Sequence, residues 1–192
     1  MSNTTATLIP GYVAGTWAID PVHSEVGFSV RHMMVSKVRG KFTNFSGEIT
    51  TGENLLDSQV TATIDLGSID TGNAQRDGHI RGADFFEVDA HPTMTYRSTG
   101  VRPDGDDYIL DGELTLKGVT QPVSLHLEAN GFGKDPYGGT RAGFTAVGEI
   151  KRSDYGMNYN AALEAGGVVV GDKVTVILEI EAVLNQPANT TA

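Results

Sequence analysis

What most constrains this chain is a period of two. Val22, Val26, Phe28 and Val30 fall on one face of an extended segment, with His23, Glu25, Ser29 and Arg31 on the other. Val60, Ala62, Ile64 and Leu66 alternate with Gln59, Thr61, Thr63 and Asp65. The same alternation runs through Val123–Ala129 and Val174–Ile180, where only Ile177 interrupts the polar face. One apolar face at period two means antiparallel strands with one wet side.

Weaker alternation covers 38–49, 93–101, 107–117 and 141–151, giving about eight strands. Turn residues separate several of them: Thr51-Gly52-Glu53-Asn54, Pro103-Asp104-Gly105-Asp106, Lys117-Gly118 and Pro136-Tyr137-Gly138-Gly139. No long segment has a helical period. The pattern predicts an all-β sandwich or an up-and-down barrel.

Two stretches lack strand character. Ser68–Phe86 is long and predicts a short helix near Ala74–Arg81, while Arg152–Gly171 is rich in glycine. Loops of this length either decorate a barrel end or act as lids and binding loops. The ends, 1–10 and 186–192, read as polar tails around one domain at 11–185.

If the apolar faces point inward, the interior includes Val22, Ser24, Val26, Phe28 and Val30, with Tyr96 and Tyr108 among its few polar groups. None of the inward positions is charged. Eight strands enclose a space that side chains just fill, or that admits one small ligand. Strands of about ten residues at ~3.3 Å each, tilted about 40°, make a tube on the order of 25 Å tall. Composition alone favours the filled core.

A chain of 192 residues buries a core without staples, and this one contains no cysteine. Disulfides, thiol catalysis and cysteine zinc sites are therefore excluded. The net charge of −10 argues against nucleic acid, and against electrostatic docking on anionic membranes. No apolar run is long enough to span a bilayer, so no stable membrane insertion is expected. The first residues contain no basic segment followed by an apolar one, which gives a cytoplasmic location as the expectation. Three Asn-X-Ser/Thr matches, at Asn3, Asn44 and Asn189, matter only in a glycosylating host.

The chemistry-bearing residues form no catalytic set. His23-Ser24-Glu25 is not a triad, because neighbours on a strand face opposite ways. His23 and Glu25 share a face and read as a surface pair. Asp77/His79 and Asp89/His91 each offer two metal ligands or plain turn chemistry, and no metal or other cofactor is expected. Arg76, Arg81 and Arg152 lie near Phe85 and Phe86 or in the second long loop. They read as contacts for a polar head group, or as salt-bridge partners of Asp77 and Asp154. Met33 and Met34 follow the first strong strand, where methionine either packs or binds adaptably.

Four ordered blocks carry a resemblance. Trp17, Ile19, Asp20, His23, Ser24, Phe28, Val30, His32, Val38, Gly40, Phe42, Gly47 and Ile49 match the opening pattern of the YceI-like, polyisoprenoid-binding family. SIDTGNAQRDGHIRGADFFEV, GELTLKGVTQPV and KRSDYGMN are similar to its later segments, so that the likeness spans about 15 to 183. Many members carry a secretion signal, which is where this chain departs from the pattern.

The resemblance implies an extended, lipocalin-like eight-stranded antiparallel barrel with a short helix in a long loop. It implies binding, transport or storage of a long-chain isoprenoid or lipid: a polyisoprenoid, an isoprenoid quinone or a fatty-acyl amide. It brings no catalytic residue, and it reverses the preference for a filled core. The expected apolar lining is Phe28, Val30, Phe42, Phe85, Phe86, Met94, Tyr96, Leu114, Leu116 and Phe144, with Arg76, Arg81 and Arg152 at the head group. An enzyme using the cavity as a reaction chamber, and a stress-related interaction module with a filled barrel, are the rival readings. A homodimer through an edge or loop face stays open.

Overall fold

The computed structural model describes residues 9–161, 167 and 169–185. Of the expected tails, 1–8 and 186–192 lie outside the described residues, as do 162–166 and 168 of the glycine-rich stretch.

The chain runs through β1 (Gly15–Ile19), β2 (Glu25–His32), β3 (Ser36–Phe42), β4 (Phe45–Thr51), β5 (Gln59–Asp65) and β6 (Ile69–Asp70). One helix follows, α1 (Ala74–Arg81), and then β7 (Thr93–Asp104), β8 (Asp107–Leu116), β9 (Val119–Lys134), β10 (Thr140–Lys151) and β11 (Val170–Leu184). All the strands belong to one antiparallel sheet. It closes because β1 pairs on both sides: Trp17 lies opposite Ile49 of β4 and Leu184 of β11.

The result is an eight-stave barrel in which three staves are broken. β11 pairs first with β2, from Val170 to Glu179, and then with β1, from Ala182 to Leu184. β1 and β2 are thus one stave interrupted at 20–24, where Pro21 has no N–H to give. Ser24 bridges the gap, because its Oγ donates to the Glu181 carbonyl and accepts the Glu181 N–H. β3 and β4 break at Thr43–Asn44, and β5 and β6 break at a short 3-10 turn, Leu66–Ser68.

Val22, expected inside, sits in the first break and is 83% exposed. Ser24 is likewise held by backbone groups and not presented to the interior.

The inward face follows the alternation. Along β8, Tyr108, Leu110, Gly112, Leu114 and Leu116 are buried and the residues between them are not. Gly112 has no freedom to change: a Cβ there would fall on the phenol of Tyr96 from β7. One end of the barrel is plugged by aromatic edges. Trp17 is fully buried, its ring 5.6 Å from Phe132, which lies 5.8 Å from Phe144. The Trp17 indole N–H donates to Thr51 Oγ1 at 2.8 Å.

The helix expected near 74–81 is present as α1. Asn73 caps it by accepting the Arg76 N–H, and the buried Asp77 carboxylate accepts from the Thr71 N–H and hydroxyl. His23 does not pair with Glu25. Its Nδ1 lies 2.8 Å from Asp20 Oδ2, because the break turns it toward the preceding residues.

Asp20 also takes Arg141 at 2.9 Å, and Arg141 reaches Asp135 and Glu181 as well. The hydrogen bond from His23, with that from Arg141, holds the Asp20 carboxyl at about 2, below its ordinary 3.8. A folded value below the unfolded one adds stability that is complete above the unfolded value and fades as pH falls through the folded one. Acid titration should therefore remove this contribution between about pH 4 and pH 2. Asp20→Asn should lower stability at neutral pH and flatten that limb of the curve. An unchanged acid limb in the variant would remove Asp20 from the account.

Candidate ligand cavity

Inside the barrel lies an apolar cavity of about 500 Å³. Its size is within the usual range of ligand pockets. Native interiors have few voids larger than a water molecule. At roughly 24 cal/mol per Å³, a void this large with nothing in it would cost on the order of 10 kcal/mol, comparable to the whole net stability of a domain. The filled core favoured by composition is thus not what the staves build. Leu110, Leu114, Leu116, Val123 and Leu125 of β8 and β9 are buried and Val26, Phe28 and Val30 of β2 are half-buried, and all eight lie on the cavity wall.

All ten residues expected to line the interior lie on the cavity wall. Phe28, Phe42 and Phe86 form a row of tilted rings, 5.8 and 6.0 Å apart. Alternation also puts Val174, Val176 and Leu178 of β11 on the wall. The loop residues Met157, Tyr159 and Val169 were not legible in that way, since no periodicity marks them.

The three arginines part company. Arg152, 6% exposed, donates Nε to the Gly171 carbonyl, Nη1 to Met157 and Tyr159, and Nη2 to Val170. Its guanidinium joins two segments of the second long loop, and burial pulls its pKa down from the ordinary value. Arg81 donates to the carbonyls of Gly67 and Ile69 and lies off the cavity wall. Arg76 lies on the wall, with Nε on Thr71 Oγ1 and Nη2 on the Thr71 carbonyl. Among the described residues none of the three pairs with Asp77 or Asp154, because backbone carbonyls and Thr71 take their donors instead.

Beside Arg152, three rings meet edge to face. His79, Phe85 and Tyr159 lie 5.0–5.4 Å apart, and Arg152 sits 5.9 Å above Phe85. All four residues line the cavity. The His79 ring also contacts Asp84 at 2.8 Å, so neither it nor Asp77 is placed as half of a metal site. Two other clusters have ligand proximity. In the first, Asp20 and Glu181 already hold both His23 and the Arg141 cation, and in the second, Asp107, His126 and Glu128 are at least partly exposed.

The titratable groups on the wall include His32, His79 and the phenol of Tyr96. The Tyr96 hydroxyl donates to the Val123 carbonyl at 3.1 Å, and burial raises its pKa far above the ordinary phenol value. Tyr108 does not reach the wall.

Residues 17–182 match the YceI-like domain family. Protein YceI of Escherichia coli is 40% identical over 174 residues, covering 89% of this chain and 88% of the relative. BcnA of Burkholderia cenocepacia has the same fold, with a TM-score of 0.71, 24% identity, and coverage of 85% of this chain and 98% of that one. A polyisoprenoid-binding domain from Saccharophagus degradans, implicated in plant cell wall breakdown, superposes with a TM-score of 0.66 at 20% identity, over 90% of this chain and all of that one. Ordered motifs, a closed eight-stave barrel and a match over most of the sequence lead to one conclusion: this chain belongs to the YceI-like family.

Proposed function

We propose that the protein binds and carries a long-chain isoprenoid lipid, a polyisoprenoid or an isoprenoid quinone, with the chain inside the barrel. The observation that supports this most is the wall: a deep cavity of about 500 Å³ bordered by aliphatic and aromatic side chains from every stave. Burying each CH2 of a chain is worth about 0.8 kcal/mol, so some tens of carbons give a gross driving force of tens of kcal/mol. Ordering the chain offsets a large part of that. What remains favours retention of the ligand and slow release into water. The polyisoprenoid-binding domain with the same fold supports the choice of class. Arg76 is the head-group contact, being the one of the three expected arginines that lies on the wall without all its donor nitrogens on carbonyls.

The test is organic extraction with mass spectrometry, beside native mass spectrometry of the intact protein. A stoichiometric prenyl chain or quinone is expected. A ligand-free mass together with no uptake of added polyprenol would overturn the reading.

A second prediction separates cavity from fold. Ala62 on β5 lines the hollow. Ala62→Trp should fill part of it, so thermal stability should hold or rise. Polyprenol uptake should fall tenfold or more. Equal uptake by the variant and the parent would place the ligand elsewhere.

A further inference from the structure

We infer that the β2–β3 hairpin tip docks the protein on an anionic lipid bilayer. Met33 is 44% exposed, Met34 54% and Val35 83%, side by side at the end of the hairpin. Both methionines have positive φ, 50° and 62°, in a turn closed by the Val35 N–H on the His32 carbonyl. Turns of this kind normally take Asn-Gly, since a side chain at positive φ is strained. Here two large apolar side chains occupy the strained positions, each about half exposed, with Met34 Cγ lying near Gly167.

Three exposed cations flank the tip on the hairpin itself, while the facing end of β11 brings Lys173 and Asp172, the latter hydrogen-bonded to Ser153. Arg31, Lys37 and Arg39 are exposed on the outer face of β2 and β3, with Arg31 directly opposite Lys37. Among the described residues none of the three has a carboxylate partner. Lys41, further from the tip, lies opposite Asp70. Lys173 of β11 is level with Arg31 and pairs with Glu149. The net charge of −10 thus conceals one cationic hairpin on an acidic protein.

A simpler account exists for the cations alone. From Ser36 to Gly40, β3 has no strand beyond it among the described residues, and lysine or arginine on an edge discourages edge-to-edge pairing. That account does not extend to the tip, because exposed Met-Met-Val beside a free edge invites association. Cations flanking an apolar tip fit a surface that is anionic outside and apolar beneath.

The position fits the same occupant. Arg31, His32, Val169 and Val170 border the cavity, and the Met33 N–H is bonded to the Val169 carbonyl. The tip is thus tied to the segment that forms this end of the cavity. The purpose of docking rests on the carrier reading, since a long apolar chain crosses from bilayer to barrel more easily than through water. The chemistry of docking does not.

The experiment is sedimentation with vesicles, using pure phosphatidylcholine against an equal mixture with phosphatidylglycerol, at low and high salt. Binding is expected only to the anionic vesicles, weakening with salt. Lys37→Glu with Arg39→Glu should weaken it more than twentyfold, since each basic residue near such a surface contributes roughly fivefold. Met33→Asn with Met34→Gly installs the preferred turn, so that variant should be at least as stable as the parent and should still bind tenfold or more weakly. No vesicle binding by the parent, or full binding by the Asn-Gly variant, overturns the proposal, as does a tip that engages a protein and no vesicle. Ala62→Trp serves as the control. If it docks normally while extraction of the parent yields no lipid, the carrier reading falls and docking stands. If lipid is present and docking absent, the reverse holds.

Discussion

Arg152→Ala is expected to destabilise the protein by about 3 kcal/mol, because it removes hydrogen bonds from a buried charged donor and leaves carbonyls without a partner. The guanidinium donates to four carbonyls, those of Met157, Tyr159, Val170 and Gly171. A hydrogen bond from a charged donor contributes about 1.5–3 kcal/mol, and an orphaned buried acceptor costs about 1–3 more. These figures do not simply add, because the loop relaxes and water reaches some of the carbonyls. Arg152→Lys should recover little, since one ammonium cannot span four acceptors fixed for a planar fork. Because Tyr159 and Val170 line the cavity, ligand retention should fall with stability. Urea denaturation measures the first and native mass spectrometry the second. A loss below about 1 kcal/mol would mean that the loop keeps its shape unaided.

Trp17→Ala is expected to cost at least as much, about 3–5 kcal/mol for the deleted ring alone. Trp17 is fully buried among Phe132, Phe144 and the small residues Ala142 and Ala182. The substitution also removes the indole donor from Thr51, whose Oγ1 takes the Gly15 N–H and donates to the Val13 carbonyl. Trp17→Phe should cost clearly less, because most of the plug remains and one hydrogen bond, worth about 1 kcal/mol, is lost. Paired denaturation curves check the order. Equal losses for the two variants would shift the weight from the ring to the hydrogen bond.

These two positions also show what the sequence could and could not say. The staves were legible because period two is a property of neighbours: Val60, Ala62 and Ile64 declare a face with no partner known. The helix at 74–81 was legible too, with Asn73 in capping position before it. Strand β1 was not, since Gly15–Ile19 is short and its alternation ends at Asp20-Pro21. Its importance comes from pairing with both β4 and the distant β11, which no local pattern encodes.

The hollow was ambiguous for the same reason. Phe28 and Leu114 read alike as inward residues, and both line the cavity; whether such side chains meet or stand around a hollow is set by what lies across the barrel. Arg152 read as a head-group contact or a salt-bridge member. It is neither in its described contacts, because the partners are carbonyls, and every residue type has one. His23 read as a partner of Glu25 by strand geometry, and the break at Pro21 supplied Asp20 instead.

Closing the ring between Trp17 and Leu184 sets an order in time. A ribosome adds roughly 5–20 residues per second, so the first stave waits on the order of ten seconds for its last neighbour to be made. Until then the nascent meander is a curved sheet with one greasy side and two open margins. A hydrophobic molecule arriving in that interval meets an open sheet and needs no entrance.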